Sequence, residues 1–141
     1  MDDIFNDNNI PESNWFKFSK VDDKIGGQVV KIFRKEAQGQ FPAQLCYTLK
    51  NASGVMEGNP IKEDEINVGV KDNDYFRPRL DKVRLGDKVG FHFQKEIPAT
   101  VKGNSPAKSI TPYVKPLTDD ERTAFLAENP DLQAADTFNN F

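Results

Sequence analysis

The chain holds one cysteine, one histidine and one tryptophan among its 141 residues. A lone Cys46 makes no internal disulfide, and Cys46 with His92 is too small a set for the usual zinc site. Long apolar runs are also missing: no stretch approaches the ~18 residues of a membrane-spanning helix. The start, MDDIFNDNN, is acidic and has no apolar run, so it does not read as a secretory signal. A reducing, cytoplasmic setting is the simplest reading. The sequence has neither a phosphate-cradling G-x-x-x-x-G-K-[ST] loop nor a nucleophile elbow. Cys46 and His92 fall on different predicted strands, which makes them a poor nucleophile pair. Glu63-Asp64-Glu65 reads as a solvated loop face. The expectation is a protein that is not an enzyme and needs no cofactor or metal.

Basic residues are absent where the acids gather. Residues 1–14 hold Asp2, Asp3, Asp7 and Glu12 with no Lys or Arg. Residues 118–141 hold six acids against Arg122 alone. With a net charge of -3 overall, residues 15–117 therefore carry +6. A basic body between acidic ends suits a protein that binds a polyanion and carries its own competing anions. The division is an acidic arm (1–14), one domain (15–117) and an acidic tail with a short helix (118–141).

Inside the body, strand signals dominate. Residues 24–33 form a strand with Gly26-Gly27 near its start, where a bulge or sharp coil is expected. Residues 41–50 form a second strand, with Leu45, Tyr47 and Leu49 alternating inward. Residues 51–65 read as a long polar hairpin loop, and 66–70 as a third strand. Residues 72–83 are the only internal helix candidate, limited at its start by Pro78. Residues 88–93 and 108–114 supply two more strands, joined by a basic loop. Thr118-Asp-Asp-Glu121 is a capping-box pattern opening a helix through Ala127. Five strands with a long, kinked first strand and a helix between the third and fourth match a mostly β, five-stranded Greek-key OB barrel.

A groove for single-stranded nucleic acid needs cations for phosphates and aromatic faces for bases. Both are interleaved here. Lys31, Phe33 and Lys35 share one parity of the first strand. If Val30 and Ile32 face the core, Phe33 stands outside between two lysines. If the glycine bulge shifts the register, Phe33 is core. Tyr75-Phe76-Arg77-Pro78-Arg79 is a denser cluster, with one aromatic expected to plug the barrel and the other exposed. The fourth-to-fifth loop, which in an OB fold flanks the ligand groove, supplies Lys95, Lys102 and Lys108. Trp15 is a further stacking candidate, although Trp15-Phe16-Lys17-Phe18 also reads as a barrel cap or a self-association interface.

Residues 24–33, 66–70 and 88–114 together resemble the small OB-fold single-stranded DNA-binding proteins of bacteria and their phages. The end, Asp131-Leu-Gln-Ala-Ala-Asp136-Thr-Phe-Asn-Asn-Phe141, is similar to that family's acidic tail, with Asn139 and Asn140 where the family commonly has acids and a proline. The resemblance implies binding of single-stranded DNA with little sequence preference, in replication, recombination or repair. It also implies recruitment of protein partners through Phe141, and a bacterial cell or phage-infected host as the setting. An OB-fold protein-interaction module and an RNA-binding protein stay open as alternatives.

Overall fold

The computed structural model of the chain describes residues 14–40, 42–98 and 107–130. Its framework is one antiparallel sheet in the order β3-β2-β1-β4-β5. The strands are β1 (Lys24–Lys35), β2 (Gln44–Met56), β3 (Asn59–Lys71), β4 (Lys88–Ile97) and β5 (Ala107–Lys115). A single-turn helix α1 (Arg77–Leu80) lies between β3 and β4, and α2 (Asp119–Glu128) follows β5.

β1 serves both halves of the sheet. It pairs with β2 along its length and with β4 through Lys24–Gln28. Register shifts between Gly26 and Gln28 and between Val29 and Lys31 let it do so. They also reset which residues face inward. Ile25, Val29 and Ile32 are buried, whereas Val30 is half-buried. Of the two readings the sequence leaves open, Ile32 inside and Phe33 outside holds, with Val30 only partly buried against the core. Tyr47, Leu45 and Leu49 from β2 are core, as their alternation predicts, together with Val68 from β3 and Val89, Phe91 and Phe93 from β4.

The hairpin of β2 and β3 corrects the expected loop at 51–65. Both strands run through it, and only Glu57 and Gly58 form the turn. Pairing with the start of β1 explains this. Gly54 approaches so closely that a Cβ there would sit 1.9 Å from the Lys24 carbonyl oxygen, and Ala52 is fully buried. Polar side chains do not prevent a strand whose backbone partners are supplied on the neighbouring chain segment.

α1 is shorter than the predicted 72–83 helix. Pro78 occupies its first turn, and Asn73 uses its side-chain oxygen to accept from the Tyr75 and Phe76 N–H groups. That local turn competes with a longer helix. α2 begins as predicted: Thr118 and Glu121 form a reciprocal capping box. The helix docks on the body: Arg122 bonds Asp87 at 2.7 Å and the Leu85 carbonyl at 2.8 Å, and Phe125 is buried in the core beside Gly86.

The sheet is not closed between β3 and β5. Residues 14–18 span that seam. Asn67 of β3 donates to the Asn14 carbonyl and accepts from the Phe16 N–H, at 2.7 and 2.8 Å. The Lys108 ammonium of β5 donates to the Phe18 carbonyl. Extended backbone alternates its side chains, so Phe16 and Phe18 enter the core while Trp15 goes to the opposite face. Asp23 anchors the strap. Its buried carboxylate accepts from four backbone N–H groups: Ser19, Lys20, Glu57 and Gly58, at 2.8–3.0 Å. Burial raises the Asp23 pKa, but the four donors outweigh it and hold the carboxyl below its ordinary value. Among the described residues, no helix is long and apolar enough to cross a membrane.

Candidate nucleic-acid interface

The outer face of β1, β2 and β3 carries three cross-strand rows: Lys31–Thr48–Asn67, Phe33–Cys46–Gly69 and Lys35–Gln44–Lys71. Partners in a row share one face. Phe33 therefore rises beside small or flat neighbours. A Cβ at Gly69 would meet Gln44 Oε1 at 2.8 Å, so the floor beside Phe33 is already filled to its limit by β2. Thr48 and Asn67 are buried beneath the face and hydrogen-bond one another at 2.5 Å.

Trp15 arrives on this face through its parallel bridge to Asn67. Its ring meets Phe33 edge-on, with centroids 6.0 Å apart. The Lys31 ammonium lies 5.1 Å from the Phe33 centroid, and the Lys35 ammonium 5.0 Å from that of Trp15. Two aromatic rings and two cations converge, and both lysines are exposed. The Thr48 hydroxyl donates to the Asn67 side-chain oxygen, and the side chains exposed beside them are aromatic and cationic.

The other predicted residues divide. Phe76 is core, and Tyr75 is 40% exposed, which is the split expected from the sequence. Burial removes Phe76 from the stacking set. Tyr75 has one face under the Arg79 guanidinium at 4.0 Å, and Arg79 donates to the Tyr75 carbonyl. Arg77 is held by Asp72, whose buried carboxylate also accepts from Arg34 at 2.8 Å. Arg77 lowers the Asp72 pKa, burial opposes this, and Arg34 adds to the lowering. Arg77 remains exposed beyond its bonds to Asp72, so it keeps donors for a second anion. Lys108 is tied to the Phe18 carbonyl and acts in the seam. Lys95 is exposed on β4 past a register shift, away from the Trp15–Phe33 cluster in the strand order. Lys102 and Phe141 lie outside the described residues.

Cys46 is a buried free thiol whose pKa burial pushes up to about 11. His92 sits on the outer face of β4, 3.1 Å from Asp22. The two do not meet across β1. No group of acids, histidine and cysteine among the described residues is arranged to hold a metal ion.

The end of α2 adds what the sequence does not reveal. Glu128 and Pro130 border an open cleft of about 380 Å³ whose other walls include Lys31, Thr48, Lys50 and Glu65. The chain thus leaves α2 beside the cationic face. The amphipathic signal of α2 is weak, and the buried Phe125, the partly buried Leu126 and the Arg122 bonds to Asp87 and Leu85 fix where it docks. Compared with known proteins, the chain matches no family model, no curated protein and no solved structure.

Proposed function

We propose that this protein binds single-stranded DNA without catalysis and with little sequence preference, on the outer face of β1–β3. The observation that carries the reading is the convergence of Trp15 and Phe33 with Lys31 and Lys35. Rings of this kind stack on any base, and ammonium groups meet phosphates, so neither contact selects a sequence. Arg77 extends the cationic edge at the Lys35 end of β1, to which Asp72 links it through Arg34. The strand order β3-β2-β1-β4-β5 supports the reading as well. It is the order of an OB barrel opened between its third and fifth strands, a fold that presents the outer face of its second and third strands to oligonucleotides.

Pro130, which precedes the acidic segment in sequence, borders this face. In the proposed function it competes with DNA for the lysines, and its terminal Phe141 recruits replication or repair proteins. A phenyl ring beside a free carboxylate suits a pocket with a basic rim.

Anisotropy titration of labelled oligo-dT tests the site. Stacking is worth about 1–3 kcal/mol per base, so Trp15→Ala with Phe33→Ala weakens binding by about two decades. Affinity also falls steeply with added salt, because each neutralised phosphate releases counterions. Unchanged binding by the double variant refutes the site. Tighter binding to a matched oligo-U than to oligo-dT replaces DNA with RNA. Absence of binding to both leaves a protein-interaction module.

A further inference from the structure

Glycines inside strands weaken them, so each calls for a reason. Most of the described glycines have one. Gly39, Gly58 and Gly86 adopt positive φ, and Gly27, Gly54 and Gly69 sit where a Cβ would come within 3.0 Å of a neighbour. Gly26 and Gly90 have neither reason; Gly26 borders the first register shift of β1, whereas Gly90 lies in regular strand. A Cβ at Gly26 would lie 3.4 Å from its nearest neighbour, and one at Gly90 3.5 Å, both ordinary contacts. The two residues face each other across β1 and β4.

Their surroundings are equally unexplained by folding. The outer face of β1, β4 and β5 reads as three rows: Gln28–Lys88–Lys115, Gly26–Gly90–Tyr113 and Lys24–His92–Thr111. Lys88 and Lys115 are directly opposite, an arrangement that destabilises a sheet. Tyr113 is 53% exposed, and Lys24, Lys88 and Lys115 are exposed. None of the nine residues is acidic. Two acids border the face: Asp22, paired with His92, and Glu121, which accepts from the Thr118 N–H and is also drawn down by Lys115 and Lys88. The three lysines and His92 outnumber them.

From the bare glycine floor, the exposed tyrosine beside it and the lysines at either end, we infer that this face is a second contact surface for the same nucleic-acid strand. The inference rests on the proposed function above. A base lies on Tyr113 over the floor that Gly26 and Gly90 leave open, and phosphates on either side meet Lys24 and the Lys88–Lys115 pair. β1 contributes to both faces, so a strand long enough to cross it engages Trp15 and Phe33 with one part and Tyr113 with another. An excess of cations over acids and a floor without side chains suit a polyanion with flat bases better than an apolar protein partner.

The test uses the full chain and two oligo-dT lengths, about 4 and about 16 nucleotides, the span one such barrel covers. Tyr113→Ala and Gly90→Val are compared with wild type by anisotropy, thermal melting and sedimentation. Gly90→Val is expected to melt at or above wild type, since a β-branched residue favours a strand where space allows. Each variant is expected to bind the short oligomer normally and the long one about tenfold more weakly. Replacing Lys88 and Lys115 with Ala lowers the salt slope for the long oligomer by about 1.4 and leaves that for the short one unchanged. Wild-type affinity of the variants for both lengths overturns the second surface and leaves the first standing. So does altered sedimentation without altered binding, which makes this face a contact between copies of the chain. Gly90→Val melting well below wild type returns the glycine to the fold and removes the argument. A wild-type chain that binds neither oligomer overturns the proposed function and this inference together.

Discussion

Replacing Asp23 with Asn tests the joint that places the Trp15 strap. One carboxylate oxygen of Asp23 accepts from Ser19, Lys20 and Glu57, and the other from Gly58. Asparagine keeps one acceptor and turns its NH₂ against at least one of those N–H groups. A buried donor left unpaired costs about 1–3 kcal/mol, and the remaining bonds lose their charge assistance. The expected loss is about 2–4 kcal/mol at pH 7, a large share of the ~5–15 kcal/mol that stabilises a typical domain. Urea unfolding across pH is the assay. The Asp23 carboxyl is held below its ordinary pKa of 3.8, so the unfolded chain takes up the proton first as pH falls. The stability it provides is complete above about pH 5 and drains away as pH drops through the lowered folded-state pKa. Asp72 drains in the same window, yet it does so in wild type and variant alike. The gap between the two proteins therefore narrows on acidification. A gap under about 1 kcal/mol at pH 7, or one that stays constant down to pH 3, refutes the argument.

Two further outcomes follow from the packing. Thr118→Ala removes the capping box of α2 and lowers stability by about 1 kcal/mol, whereas Arg122→Met costs about 3 kcal/mol because Asp87 stays buried without its cation; urea midpoints rank them. Cys46, fully buried and with its pKa at about 11, resists iodoacetamide at pH 8 in the folded protein and reacts once urea unfolds it; rapid labelling of the native chain contradicts that burial.

Alternation makes much of the sheet legible in the sequence. Leu45, Tyr47 and Leu49, and Val89, Phe91 and Phe93, are core where their period of two places them. The Thr118–Glu121 box is equally local and equally readable. β1 is only half readable, because two register shifts bury Val29 fully and leave Val30 partly buried at the margin of the core, and bulges leave no periodic trace beyond the glycines. Residues 51–65 read as loop because their strand pairing depends on a close approach to Lys24, which is far away in sequence. The same distance effect governs the site. Phe33 and its lysines are neighbours in sequence and are legible there. The engagement of Arg34 with Asp72, of Lys108 with Phe18 and of Asp23 with the Glu57–Gly58 turn depends on the folded chain. Composition shows how many cations a chain has, and tertiary contact decides which of them remain uncommitted.

Trp15 is the single tryptophan of the chain and stands inside the proposed site, so its own fluorescence reports on the central claim. Oligo-dT is titrated into the unlabelled full-length protein at low salt and then displaced by added salt. The account predicts saturable quenching of Trp15 as a base stacks at Phe33 and Trp15, reversed as salt rises. Binding seen by another probe with Trp15 emission unchanged would contradict it.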